Sequence, residues 1–383
     1  MIERVHFQNF KSLRAVELDE LKRFILFVGP NASGKSSILE GLHYLAQLGR
    51  KKPEELFRGP RDPETLFYRG ADHDEKLNIE AYGRWLDDFD AVSCDIERKG
   101  QLRPGEASEF EFSVMAREAS VTEKLLYGDS PLVDRPHTTA LGYEISSALF
   151  LRLNPAQLVR PSYSTEETPR VEYDGYGLAT VLREMQASQP GDFEQLVMFL
   201  KKIIPQVEAV RTRRAPVWEE KTRQITVDGK TFTRQDTEKV MGEEVILDMV
   251  GAPGIPAHAA SEGTVLTLGL LAVLLNERRP KLLLLDDIEH GLHPVAQAEL
   301  VGVLREFLEL SSDLQILATS HSPYLLDHFE ADEIWLTSLT EEGVTAARRL
   351  DHHEDFDIWR DEMSSGEFWS YVGEDWVTGG ESE

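Results

Sequence analysis

The feature that most constrains this chain is a glycine-rich loop between a short apolar run and an amphipathic stretch. The loop reads Gly29-Pro30-Asn31-Ala32-Ser33-Gly34-Lys35-Ser36, which matches the pattern G-x-x-x-x-G-K-S. The run before it, Phe24-Ile25-Leu26-Phe27-Val28, predicts a strand, and apolar residues at 38, 39, 42 and 45 predict a helix after it. A chance glycine turn before a surface helix is the alternative, and the flanking elements argue against it. The sequence therefore predicts a phosphate-binding loop.

The loop supplies candidate ligands for a nucleotide and its metal ion. A strand, a glycine loop and a helix in this order aim backbone N–H groups and a helix N-terminus at phosphate oxygens. We expect Lys35 to reach the β- and γ-phosphates and Ser36 to hold Mg²⁺. The candidate phosphate-binding residues are Asn31, Ala32, Ser33, Gly34, Lys35, Ser36 and Ser37.

A second element of such a site follows much later in the chain. Leu282-Leu283-Leu284-Leu285-Asp286-Asp287 predicts a buried parallel strand that ends in two carboxylates. Asp286 is expected to complete the Mg²⁺ environment, and Asp287 to orient or deprotonate the attacking water. Many buried strands end in Asp, so this pattern indicates a metal ligand only in combination with the phosphate loop. About 250 residues separate the two elements, which predicts a site assembled from sequence-distant lobes.

Two shorter motifs also have structural alternatives. Ser261-Glu262-Gly263-Thr264 begins an apolar stretch, and a Ser hydroxyl with a Gly backbone N–H at a helix start forms an anion-binding corner. A plain helix N-cap is the alternative. Thr319-Ser320-His321-Ser322-Pro323 follows a predicted buried strand, and His321 could donate a hydrogen bond to a γ-phosphate. A structural histidine at a strand end is the alternative.

Composition limits the class of protein. The chain has 383 residues, a net charge of −27 and one cysteine, Cys94, so no intrachain disulfide forms and a cytoplasmic, two-lobed globular protein is expected. No signal peptide and no membrane-spanning run are predicted. So acidic a chain is not a general binder of duplex DNA. Residues 201–234 hold nine basic side chains, and an ordinary solvated face is favoured over a nucleic-acid surface there.

The chain in order predicts an α/β fold. Residues 77–153 alternate and predict an antiparallel β layer, with a short helix at 123–127; two helices after residue 178 predict a helical hairpin. Residues 216–250 predict strands with a turn at Asp228-Gly229, and the last third alternates strands and helices, which indicates a mostly parallel sheet. The expected segments are an N-terminal lobe at 1–170, a helical hairpin insertion at 171–215, a C-terminal lobe at 216–377 and a disordered tail at 378–383.

The motifs together resemble those of ABC-type ATPases of the SMC/RecF/OLD-like group. The loop at 29–36 looks like their Walker A motif, residues 282–287 look like Walker B, and Ser261-Glu262-Gly263-Thr264 looks like a short signature motif. Gly291-Leu292-His293-Pro294 matches the D-loop position, and the motif at His321 matches the switch histidine. Asn9-Phe10-Lys11-Ser12-Leu13, residues 174–182 and Ser365-Gly366-Glu367-Phe368-Trp369 are also typical of the group.

The resemblance implies a P-loop ATPase head that binds ATP and Mg²⁺ and pairs head to tail as a homodimer. ATP would lie between the phosphate loop of one copy and Ser261 and Gly263 of the other. Binding would close the dimer and hydrolysis would open it. Lys35, Asp287 and His321 would then be catalytic. The implied role is an ATPase subunit in DNA surveillance or anti-phage defence with a separately encoded, nuclease-like effector; a transporter ATPase subunit is the alternative.

The chain departs from the group at several positions. Asp287 stands where Glu is usual, so the attacking water would lie farther from its base, and either hydrolysis is slow or Glu289 assists. A non-hydrolysing nucleotide sensor is the alternative. The glutamine that joins the lobes is expected at Gln157. Only 62 residues follow His321, so no Toprim nuclease domain is expected, and no persistent heptad pattern predicts a long coiled coil.

Overall fold

The computed structural model describes residues 1–57, 62–85, 88–99, 109–118, 121–126, 147–227 and 230–379. Its strands are Ile2–Phe10 (β1), Leu13–Leu18 (β2), Phe24–Val28 (β3), Leu77–Trp85 (β4), Asp88–Lys99 (β5), Glu109–Glu118 (β6), Val121–Leu126 (β7), Leu149–Leu151 (β8), Val207–Val227 (β9), Lys230–Met249 (β10), Ala252–Pro256 (β11), Leu282–Leu285 (β12), Gln315–Ser320 (β13), Ile334–Leu339 (β14) and Thr345–Arg349 (β15).

Helices of both α and 3₁₀ type connect these strands. The α-helices are Lys35–Leu48 (α1), Pro53–Leu56 (α2), Pro155–Leu158 (α3), Leu178–Ser188 (α4), Pro190–Ile203 (α5), Glu262–Leu274 (α6), Pro294–Leu310 (α7), Pro323–Leu326 (α8), Phe356–Trp359 (α9) and Ser365–Val372 (α10). The 3₁₀ turns are Pro63–Leu66, Ala257–Ala259, Ala331–Glu333, Leu350–His352 and Asp375–Thr378.

The chain divides into two compact units, and each is built from separate stretches of sequence. The first unit contains Met1–Phe150, Pro280–Glu289 and Leu304–Glu383, and the second contains Leu151–Arg279 and His290–Val303. The chain thus passes between the units more than once. The expected boundaries at 170, 215 and 377 therefore remain a proposal about sequence segments.

A mostly parallel sheet of the first unit has the strand order β15-β14-β3-β13-β12-β8. Strand β13 pairs in parallel with β3, with Ser320 opposite Val28, and β12 pairs in parallel with β13, with Leu285 opposite Ala318. Every residue of β3, β12 and β13 is buried, which explains their continuous apolar sequences. Because parallel strands end at one edge, the residues that follow β3, β12 and β13 meet there.

An antiparallel sheet covers the other side of α1 and has the strand order β2-β1-β4-β5-β6-β7. Phe7, Phe10, Leu39 and Leu42 are at most 1% exposed and belong to one apolar core. Gly41 lies in α1, and a Cβ there would stand 2.5 Å from the Phe7 ring, so only glycine lets this helix approach the sheet. The expected α/β class, with a parallel core and an antiparallel layer, is confirmed.

The second unit is arranged around α6. Every residue from Gly263 to Leu274 in this helix is buried, and α5 packs against it. Strands β9, β10 and β11 form an antiparallel ribbon whose register places Arg213 opposite Glu244. Arg211 is ion-paired with Asp248 and Arg213 with Glu244, so acids of the next strand offset the basic cluster. This pairing favours a solvated face over a nucleic-acid surface.

Three secondary-structure predictions need correction. Residues 123–126 are not a helix: residues 121–126 form β7, because six residues gain more from pairing with β6 than from an isolated turn. Residues 149–151 join the parallel sheet beside β12 instead of the antiparallel layer. Thr378 lies in a 3₁₀ turn instead of a disordered tail. The predicted turn at 228–229, Tyr127 and residues 380–383 lie outside the described residues.

Among the helices that the structure describes, none combines the length and apolarity needed to cross a bilayer.

Because every residue of β12 is buried, the stability of the protein should depend strongly on the packing of this strand. Leu284 is fully buried in β12, whereas Leu310 at the end of α7 is 70% exposed. Leu284→Ala should lower the free energy of unfolding by about 2–5 kcal/mol because it leaves a cavity. Leu310→Ala is the matched control and should stay within about 0.5 kcal/mol of wild type. Denaturant unfolding of both variants checks this, and equal effects would contradict the assigned core.

Candidate phosphate and metal site

The loop between β3 and α1 has the backbone conformation of an anion-binding concavity. Gly29, Ala32 and Gly34 have φ values of +144°, +66° and +101°, and such left-handed residues turn successive N–H groups toward one point. Helix α1 begins at Lys35 with no acidic residue in its first turn and no side-chain cap. Its N-terminal N–H groups are therefore available to an anion.

Lys35 lies folded over its own loop. Its side chain is buried, and Nζ donates hydrogen bonds to the carbonyl oxygens of Gly29 at 2.9 Å and Pro30 at 2.8 Å. Burial lowers the pKa of Lys35 to about 8, and the carboxylates of Asp287 and Asp286 oppose this shift. An incoming phosphate would replace neutral carbonyls with charged oxygens, which are stronger acceptors.

Ser36 and Asp286 meet where α1 begins and β12 ends. Ser36 Oγ donates to Asp286 Oδ1 at 2.8 Å, although 250 residues separate them. Thr319, the penultimate residue of β13, donates its hydroxyl to the same oxygen at 2.8 Å. The backbone N–H of Asp287 in turn donates to Thr319 Oγ1 at 2.8 Å. The start of α1 and the end of β13 thus fix the orientation of the carboxylate that follows β12.

The chemistry of this donor set fits Mg²⁺ held together with a nucleotide. Mg²⁺ prefers oxygen ligands and commonly takes one or two protein groups, completed by phosphates and water. Ser36 Oγ and Asp286 Oδ1 provide one hydroxyl and one carboxylate side by side. Within the described ranges, no cluster of three or more His, Cys, Asp or Glu side chains could hold a metal by itself. The site is thus of the kind in which the nucleotide completes the metal shell.

Asp287 and His321 face each other at the same edge. Asp287 has a φ of +53°, a strained conformation for a residue other than glycine, and its side chain is about half exposed. His321 Nε2 lies 3.8 Å from Asp287 Oδ1. Glu289 Oε1 accepts the backbone N–H of His321 at 2.7 Å, so Glu289 connects the turn after β12 to the turn after β13. Lys35, Ser36, Asp286, Asp287 and His321 are therefore brought together within the first unit.

The predicted signature residues belong to the second unit. Ser261 Oγ caps α6 by accepting the N–H of Thr264 at 3.3 Å, which is the plain N-cap arrangement. A Cβ at Gly263 would stand 2.3 Å from Gly291 O, so this glycine is needed for the close approach of the two motifs. Gln157 lies in α3 and accepts a hydrogen bond from Arg160. The nucleotide-binding roles of Ser261, Gly263 and Gln157 remain predictions.

Sequence reasoning assigned no role to Thr319 and Glu374, which lie near Lys35 and Asp286, and considered Glu289 only as an aid to hydrolysis. Thr319 orients Asp286, and Glu289 holds the loop of His321. Glu374 is a further carboxylate that opposes the lowered pKa of Lys35, and it accepts the indole N–H of Trp369 at 2.9 Å. Thr319 lies inside the quoted motif at His321 and could have been considered. Glu374 follows α10 near the end of the chain, where no spacing connects it with the phosphate loop.

The fold and the site define an ATPase head of the SMC/RecF type. A model described as "AAA domain, putative AbiEii toxin, Type IV TA system" matches residues 113–327, which is more than half of the chain, and the chain belongs to this family. A second model, described as "AAA ATPase domain", matches residues 1–101.

Individual proteins resemble parts or all of the chain. A solved SmcHead bound to the C-winged helix domain of ScpA covers 91% of this chain and 98% of its own, with a TM-score of 0.57 and 14% identity, which shows the fold. The chromosome partition protein Smc of Methanocaldococcus jannaschii is 28% identical over 102 residues, 27% of this chain and 8% of that protein. The DNA replication and repair protein RecF of Hahella chejuensis is 38% identical over 55 residues, 14% of this chain. The chain spans only 15% of RecF and a smaller share of Smc.

The buried ammonium of Lys35 predicts a pH-dependent stability. Its pKa of about 8 lies below the ordinary 10.5, so the unfolded chain binds more protons between these values, and the free energy of unfolding rises with pH there. The burial penalty is present below about pH 8 and is relieved toward pH 10.5, by at most about 3 kcal/mol. Wild type should therefore gain stability relative to Lys35→Met between about pH 7.5 and pH 10 in urea unfolding. A difference that stays constant with pH would contradict the lowered pKa.

Proposed function

We propose that this chain is an Mg²⁺-dependent ATPase that dimerises around ATP and switches a separate effector protein. The observation that carries the proposal is the 2.8 Å hydrogen bond between Ser36 Oγ and Asp286 Oδ1, at the mouth of a loop whose lysine is already folded inward. A hydroxyl and a carboxylate in contact at a helix N-terminus are what a nucleotide-bound Mg²⁺ requires. Mg²⁺ would supply charge neutralisation between the phosphates.

The chain's own residues would divide the remaining work. The N–H groups of residues 31–37 bind phosphate oxygens, and Lys35 exchanges the carbonyls of Gly29 and Pro30 for the terminal phosphates. Asp287 accepts the proton of the attacking water, since its carboxylate is partly exposed at the strand edge. His321 lies on the other side of that carboxylate and donates to the γ-phosphate. Glu289 holds the His321 turn in place through the backbone N–H.

Dimerisation and effector control are the further parts of the proposal. Ser261 and Gly263 of a second copy would cover the phosphates, because the start of a helix carries partial positive charge that attracts anions. The solved SmcHead binds a separate winged-helix domain of ScpA. The description of the matching family names an AbiEii toxin and a Type IV TA system. Both support a separately encoded partner, in a role in DNA surveillance or anti-phage defence.

A non-hydrolysing nucleotide sensor is the second candidate. The observation that favours it is Asp287, whose side chain is shorter than the usual Glu and whose backbone is strained at a φ of +53°. A sensor would bind ATP and close the dimer but release it unchanged. Turnover measurements separate this candidate from the first.

The proposal predicts that ATP binding depends on Lys35. Lys35→Ala should weaken Mg·ATP binding by at least about tenfold, because a buried charge-assisted contact to phosphate is lost. Isothermal titration calorimetry with a non-hydrolysable analogue measures this. The matched control is Lys22→Ala, whose side chain is half exposed and ion-paired with Asp332. Wild type that binds no nucleotide in the presence of Mg²⁺ would end the proposal.

Catalysis by Asp287 predicts a split between turnover and binding. Asp287→Asn should lower kcat by about 10²- to 10⁴-fold with ATP affinity nearly retained, because only the proton acceptor is lost. Asp287→Glu should raise kcat if the shorter side chain limits the reaction. Asp361→Asn, which alters an exposed carboxylate, is the control. Wild-type turnover no faster than that of Lys35→Ala would favour the sensor instead.

A further inference from the structure

The hairpin of β14 and β15 contacts the phosphate loop at both of its glycines, Gly29 and Gly34. Strand β14 pairs in parallel with β3, with Leu336 opposite Val28, so Thr337 stands level with Gly29. A Cβ at Gly29 would lie 2.1 Å from the carbonyl oxygen of Thr337 and 2.9 Å from its hydroxyl. The first glycine of the loop is thus required by Thr337, as well as by its own φ of +144°.

A chain of two hydroxyl hydrogen bonds connects the loop to this strand. Ser33 Oγ lies 2.5 Å from Thr337 Oγ1, and Thr337 Oγ1 donates to the carbonyl oxygen of Val28 at 3.2 Å. A carbonyl only accepts, and a hydroxyl has one hydrogen, so Thr337 donates to Val28 and Ser33 must donate to Thr337. The bonds thus run from the middle of the loop, through β14, to the residue just before the loop.

These hydroxyls are shielded from water. Ser33 is 1% exposed and Thr337 is fully buried. A hydroxyl that loses its partner at such a position cannot be satisfied by solvent, so the loop must shift or pay the desolvation cost. These two buried hydrogen bonds therefore restrain the backbone of the loop more strongly than a surface hydrogen bond would.

Thr345 of β15 supports the same loop at its second glycine. A Cβ at Gly34 would stand 2.2 Å from Thr345 Oγ1. Thr345 is itself held by Ser12: its N–H donates to Ser12 O at 2.9 Å, and its hydroxyl donates to Ser12 Oγ at 2.8 Å. Ser12 belongs to the turn between β1 and β2, which gives this part of the N-terminal motif a structural purpose.

We propose that Thr337 is a positioning residue for the phosphate loop and acts through Ser33, with Thr345 supporting the loop at Gly34. In this arrangement the hairpin keeps the N–H groups of the loop at the spacing of a bound polyphosphate before the nucleotide arrives. Pre-organisation of this kind lowers the conformational cost of binding. The inference rests on the proposed function, because only a loop that binds phosphate needs such positioning.

The test uses the full chain and compares Thr337→Val with Thr337→Ser. Valine keeps the shape and removes the hydroxyl, whereas serine keeps the hydroxyl. Thr337→Val should raise the Kd for Mg·ATP about tenfold, and Thr337→Ser should stay within about twofold of wild type. Thr267→Val is the matched control, since Thr267 is buried in α6 and its hydroxyl has no partner among the described residues. The Kd of this control should not change.

A double-mutant cycle with Ser33→Ala tests whether Thr337 acts through Ser33. Once Ser33 is replaced, Thr337→Val should weaken binding by much less than it does alone, because the two residues act through one hydrogen bond. Fully additive effects would show that Thr337 does not act through Ser33 and would overturn the inference. If Thr337→Val does not fold, Ser33→Ala alone still decides: it should raise the Kd, and an unchanged Kd overturns the inference.

Thermal stability and Lys35→Ala separate the remaining outcomes. A Thr337→Val variant with a lower Tm but wild-type Kd would show a purely structural role and overturn the inference. If Lys35→Ala weakens binding and Thr337→Val does not, the proposed function stands and this inference fails. If wild type and Lys35→Ala show the same negligible binding, the proposed function itself fails.

Discussion

The contact on which the site depends is the hydrogen bond from Ser36 to Asp286. It forms only because β3, β13 and β12 lie side by side in parallel, so that the start of α1 and the end of β12 reach the same edge. Thr319, at the end of the middle strand, completes the arrangement from between them. The buried apolar strands therefore determine more than stability: their register sets the spacing of the polar groups that follow them.

At this edge of the sheet, burial and the neighbouring carboxylates act on the charge of Lys35 in opposite directions. Lys35 is held in a site that disfavours its charge, and the carboxylates of Asp286, Asp287 and Glu374 offset part of that cost. A phosphate would remove the mismatch by supplying negative charge where the lysine now donates to the carbonyl oxygens of Gly29 and Pro30. The loop thus holds the charged Lys35 in a buried environment, and a bound anion would relieve the cost of that burial.

The sequence predicted the elements that obey local rules. The helix after the glycine loop, the strand before Asp286 and the buried helix α6 follow from glycine spacing and apolar periodicity, and these elements form as expected. The interactions across the sheet could not be predicted. Thr337 reaches Ser33 only through the pairing of β14 with β3, and no local pattern encodes that register. The assignment of residues 149–151 failed for the same reason, since three apolar residues do not reveal which sheet they join.

The most direct test of the account is the position of a metal ion in the nucleotide-bound protein. Crystals grown with Mn²⁺ and a non-hydrolysable ATP analogue would give an anomalous difference peak for the metal. The account predicts one peak in contact with both Ser36 Oγ and Asp286 Oδ1, at about 2.0–2.2 Å from each, with these oxygens separated from their present hydrogen bond. A nucleotide bound with its metal away from either oxygen, or with the Ser36–Asp286 hydrogen bond still intact, would contradict it.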